Sequence, residues 1–148
     1  MQKKSVRGFT LIEILIVIGI IAILAGVVLV AINPARQFAQ ANNSQRTSNV
    51  NAILNAVGQY MADNKGALPS VITTATTTIA SGSGNIDLCG VLVPTYLPSF
   101  PVDPTVTTGA VTSCGTYTTG YSIVKDGNNR VTVVAPSAEL SASIQVTR

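Results

Sequence analysis

The chain has no histidine, and only 10% of its 148 residues are charged. Without histidine it lacks the side chain that most often moves protons near neutral pH, and a common zinc ligand with it. The two cysteines, Cys89 and Cys114, form no CxxC pair, so a zinc site is poorly supported. Beyond Ile32 there are one glutamate, Glu139, and four aspartates, which leave acid, base or nucleophilic catalysis little to work with. No catalytic residue, metal or cofactor is expected. Basic charge is also scarcer than the net charge of +3 suggests. Lys3, Lys4 and Arg7 supply all of that excess, and the basic side chains left without them only match the acidic ones. The basicity belongs to the N-terminal leader, and no nucleic-acid recognition is expected of the folded part.

From Phe9 to Ile32 the only ionisable side chain is Glu13, near the start of the run GFTLIEILIVIGII. The residues from Ile14 to Ile32 carry no charge, and as a helix they cover about 28 Å, close to the hydrocarbon thickness of a bilayer. A membrane-spanning helix follows. The basic residues before it favour a cytoplasmic N-terminus, with the bulk of the chain on the other side. A cleaved secretory signal is the competing reading. Against it, the run is long for such a signal, and Val30, Ala31 and Ile32 offer no small-x-small cleavage site before Asn33. An unpaired carboxylate in this setting is costly and therefore a functional candidate, with snorkelling toward the interface as its bland alternative.

At Asn33-Pro34 a good N-cap meets a residue favoured at the first helical position. A helix continued through Pro34 would lose a hydrogen bond to the Val30 carbonyl and crowd it, at a cost of about 3 kcal/mol, so a break is expected here. Val50, Ile53, Leu54, Val57 and Met61 then recur at helical spacing, with Asn49, Asn51, Asn55 and Gln59 between them. Gly66 and Pro69 mark the end of this amphipathic helix, near 64–66.

The Thr/Ser-rich stretch 73–83 reads as an exposed loop or weak strand, open to O-linked glycans. LVPTYLPSFPVDP, with four prolines, reads as an extended, surface-hugging connection. GYSIVKDGNNRVTVVA reads as a hairpin around Asp126-Gly127-Asn128-Asn129, with Tyr121 and Ile123 alternating on one side and Val131 and Val133 on the other. Leu140, Ala142, Ile144 and Val146 alternate as a last strand. An antiparallel sheet of three or four strands would cover the helix stripe. In a small exported domain Cys89 and Cys114 are best read as a disulfide, the alternative being two free buried thiols.

The N-terminus KKSVRGFTLIEILIVIGIIAILAGV resembles that of type IV pilins and the related pseudopilins. It has a short basic leader, Gly8 before the expected cut, Phe9 after it, and Glu13 as the fifth residue of the mature chain. The resemblance covers about the first 35 residues. It implies the pilin fold, of class α+β: a long N-terminal helix packed on a small antiparallel sheet. It implies a cleaved leader at 1–8, a membrane and filament-core helix at 9–32, an amphipathic helix at 33–66 and a globular sheet domain at 67–148. It also implies cleavage between Gly8 and Phe9 by a prepilin peptidase, N-methylation of Phe9, and assembly through Glu13, whose carboxylate would meet the Phe9 amine of a neighbour.

The implied partners are copies of the chain in a helical homopolymer, the peptidase, and an inner-membrane assembly platform with its ATPase. The implied localisation is the inner membrane and then an extracellular pilus. A subunit of a type II secretion pseudopilus is the alternative function. A membrane-anchored enzyme or binding module is a third. The sequence departs from the family pattern in three places. The usual helix proline would fall at Val30, but the nearest is Pro34. The cysteines precede the last hairpin. Asp87, Asp103 and Asp126 match the calcium site of major pseudopilins in residue type alone.

Overall fold

A computed structural model describes residues 8–107 and 109–148, so Lys3, Lys4 and Arg7 of the leader lie outside the described residues. The chain divides into two compact units, one ending at Gln37 and the other running from Phe38 to Arg148.

In the first unit, α1 (Leu11–Ile32) is apolar on every side and buries none of its residues within the chain. Its 22 residues include an 18-residue stretch with a mean hydropathy of 3.3, so the helix is long and apolar enough to cross a membrane. α1 ends where Asn33 turns into the left-handed region at φ 47°, and α2 (Pro34–Asp63) starts at the next residue. Asn33 serves this restart: its Oδ1 accepts from the Arg36 N–H at 3.3 Å and its carbonyl from the same N–H at 3.1 Å. Proline at the first helical position fits because that N–H would have no partner anyway.

In the second unit, α2 turns Val50, Ile53, Leu54 and Val57 into the core, while Met61 is only partly buried. Asn49 departs from the expected pattern. It is buried, and its Nδ2 donates to the Val102 carbonyl at 3.0 Å and the Tyr121 hydroxyl at 2.9 Å. α2 ends in a reversal with Lys65 at φ 56° and Gly66 at φ 86°, the Gly66 N–H donating to the Met61 carbonyl at 2.8 Å. The left-handed position that closes the helix therefore belongs to Lys65, one residue before the expected glycine.

The sheet is a four-stranded antiparallel meander of β1 (Thr77–Ala80), β2 (Thr118–Lys125), β3 (Val131–Ala135) and β4 (Ile144–Thr147), in that spatial order. With α2 it forms the expected α+β architecture. Ile123 lies opposite Val133, and Tyr121, Ile123, Val131 and Val133 all point into one core. The Thr/Ser-rich stretch supplies edge strand β1. The last strand is shorter than the alternation suggests: Leu140 and Ser141 both have positive φ, and Leu140 is 51% exposed, so pairing starts only at Ile144.

The proline-rich segment is not surface-hugging. A short helix, α3 (Cys89–Leu92), leads into it, and Leu92, Phe100 and Asp103 are buried. Its prolines prevent regular pairing but leave single side chains free to turn inward. Cys89 and Cys114 form a disulfide with Cα atoms 5.4 Å apart, closing a loop in which Phe100 bridges Val111.

Candidate assembly and processing site

The backbone from Gly8 to Thr10 is not helical, and all three residues are exposed, Phe9 at 86%. Thr10 begins α1 with an extended backbone, and its Oγ1 accepts from the Glu13 N–H at 3.3 Å. Glu13 reaches back: its Oε2 accepts from the Thr10 N–H and from the Thr10 hydroxyl, both at 2.7 Å. This is a capping box, in which two otherwise unpaired donors at a helix start are satisfied reciprocally. Glu13 therefore has a local hydrogen-bond partner, contrary to the expectation from the charge pattern. The signal was present as Thr-x-x-Glu directly before an apolar run. Neither Thr10 bond supplies a positive charge, and both fall on one oxygen of the carboxylate.

The structure also joins side chains that the sequence did not bring together. Arg46 is fully buried on α2, one turn before Val50, so it extends the apolar stripe backwards. Its Nε and Nη2 donate to the two oxygens of Asp103 at 2.7 and 3.1 Å, and its Nη1 donates to Glu139 Oε2 at 2.7 Å. Burial pushes the Asp103 carboxyl upward, but hydrogen bonds from Arg46 and Thr105 outweigh it and hold the group below its ordinary value. Glu139 is lowered by Arg46 first and Asn42 second, and Arg46 is raised, chiefly by its bonds to Asp103.

Gly120 makes room for this pairing. It sits in β2 at φ +77°, and a Cβ there would lie 2.8 Å from the Asp103 Cβ. The Asp103 N–H beside it donates to the Thr119 carbonyl at 2.8 Å. An arginine at a stripe position was the clue to a buried ion pair. Its partners, 57 and 93 residues away, could not be read from spacing.

The three aspartates named by residue type are dispersed and occupied. Asp87 accepts from the Tyr117 hydroxyl at 2.7 Å and the Cys89 N–H at 3.1 Å, Asp103 pairs with Arg46, and Asp126 closes its own turn onto Arg130. Burial and then Asp87 push the Tyr117 hydroxyl pKa well up. Among the described residues no three of His, Cys, Asp or Glu are grouped to hold a metal ion.

An apolar helix with no buried face and a single capped carboxylate at its start is the arrangement of a chain that embeds its N-terminus in lipid or among other helices. Residues 3–29 match the family described as the prokaryotic N-terminal methylation motif. That match supports a prepilin-like chain of the type IV pilin and pseudopilin class, which is structural in kind. Its signal implies processing by a prepilin peptidase and assembly into a polymer. No curated protein and no solved structure matches the chain.

Proposed function

We propose that the chain is the structural subunit of an extracellular type IV pilus, used in adhesion, motility or DNA uptake. The prepilin peptidase removes residues 1–8 and methylates the new Phe9 amine. Residues 9–32 hold the subunit in the inner membrane, N-terminus cytoplasmic, until the platform and its ATPase draw it into the filament. The observation that carries this reading is the exposed, non-helical Gly8-Phe9 backbone directly ahead of a capped helix that buries nothing. A peptidase needs extended backbone, and a filament core needs an apolar helix left uncovered.

Within the filament the Phe9 amine of one subunit meets Glu13 of the next. Both Thr10 bonds use Oε2, which leaves Oε1 for the incoming cation. Methylation keeps the amine charged, and the pair offsets the burial of both groups.

Mass spectrometry of filaments sheared from native cells, with electron micrographs of the same cells, tests the proposal. The expected result is micrometre-long filaments whose main component starts at methylated Phe9. A native chain that starts at Met1 overturns the processing step, and a mature chain confined to the periplasm without surface filaments overturns the pilus in favour of a secretion pseudopilus.

A further inference from the structure

Arg46 holds two carboxylates that differ in nearly every respect. Asp103 is fully buried and takes two Arg46 bonds, and its Oδ1 also accepts from the Thr105 N–H at 2.9 Å and the Thr105 hydroxyl at 2.6 Å. Glu139 is 36% exposed at its side chain, and only its Oε2 is engaged, by Arg46 Nη1 and by Asn42 Nδ2 at 2.9 Å. We propose that Glu139 is the acid-labile arm of a two-armed clasp on Arg46, whose protonation loosens the β3–β4 loop, 136–143, while the rest of the domain stays folded.

Charge balance favours this order of events. One cation faces two carboxylates, so neutralising Glu139 leaves Arg46 and Asp103 as a balanced buried pair. Neutralising Asp103 instead would leave the buried cation with only an exposed partner. Arg46 Nη1 is not orphaned when Glu139 lets go, because it also donates to Asn43 Oδ1 at 3.0 Å. Among the described residues the other titratable group near the cluster is the Tyr121 hydroxyl of β2, which accepts from Asn49 Nδ2 and is pushed upward by burial, so it stays neutral in acid.

The loop's ties to α2 gather at Glu139. Its side chain meets Asn42 and Arg46. Its N–H donates to Asn43 Oδ1 at 2.9 Å, and its carbonyl accepts from Asn43 Nδ2 at 2.7 Å. The other backbone bonds within the loop are local, from the Ala138 N–H to the Ala135 carbonyl and from the Ala142 N–H to the Glu139 carbonyl. Directly after the tie, Leu140 and Ser141 hold left-handed backbone at φ 57° and 55°, a region that side-chain-bearing residues adopt uncommonly and at a cost. A weakened tie lets that backbone relax.

The sign follows from the lowered carboxyl. A carboxylate whose folded-state pKa lies below its ordinary value of 4.5 contributes stabilisation above that value and loses it as the pH falls through the folded one.

Amide hydrogen exchange on the full-length chain in detergent micelles, between pH 6 and pH 3 and corrected for intrinsic rates, tests the clasp. Protection over 136–143 should fall at least about five-fold across that range, while Ile123 and Val133 in the sheet keep theirs. Glu139→Gln should show the lowered protection already at pH 6, with little further change in acid. Loop protection that stays flat with pH in the wild-type chain, or that falls in step with Ile123 and Val133, overturns the proposal.

Discussion

The two units of the chain handle apolar surface in opposite ways. Along α1, Ile, Leu and Val side chains stand half exposed or more, and none is buried. In the second unit most large apolar side chains gather in one core, with Phe38, Val71 and Leu140 left exposed, and even a guanidinium is drawn inside, where every buried side-chain polar atom among the described residues has a partner. The second unit is satisfied by its own chain, whereas the first needs an apolar medium or other helices. Stability and assembly should therefore be separable by mutation.

The largest effect is expected at Glu13. A Glu13→Ala subunit should insert in the membrane as before, because the uncharged run still suffices to span it, yet yield at least about ten-fold fewer sheared filaments, each added subunit leaving an amine uncompensated. Unfolding of its globular unit should not change. Normal filament yield from this variant as the sole subunit would break the division of labour.

Arg46→Ala should act in the opposite unit. It leaves Asp103 buried without its cation, a loss of about 3 to 5 kcal/mol in urea unfolding. Replacing Cys89 and Cys114 together by serine comes next, at roughly 3 kcal/mol for releasing a cross-link 25 residues apart in sequence. Gly120→Ala should cost about 1 to 3 kcal/mol, because it forces a side chain into left-handed backbone against the Asp103 Cβ. None of the three should prevent membrane insertion of α1, which fractionation of cell membranes would check.

The same contrast explains what the sequence disclosed. α1 was legible because its partners are a medium, and a medium reads only composition and length. The stripe from Val50 to Val57 and the hairpin around Asp126 were legible because their period is local. Regions whose geometry depends on distant partners were not. The proline-rich segment lacks a helical or strand period, so nothing in it announced that Leu92 and Phe100 face inward, a position set by the disulfide loop and the sheet. Leu140 and Ala142 continue an alternation that the structure ends, because the Glu139 tie to α2 bends the backbone there. At the N-terminus the Thr10 and Glu13 pairing was written in four consecutive residues but leaves no trace in the charge pattern, since a capping box satisfies donors without neutralising anything.

The order of strands across the sheet is also their order along the chain. A chain released N-terminus first can therefore lay β2 on β1 and β3 on β2 without waiting for its own end, and no strand must be inserted between two already placed. The carboxylates reach the waiting guanidinium on the same timetable. Asp103 emerges before β2, while Glu139 arrives only after β3. The buried cation thus meets its inner counter-ion while the sheet is still being built, and β4 can be added last to a core that is already electrically balanced.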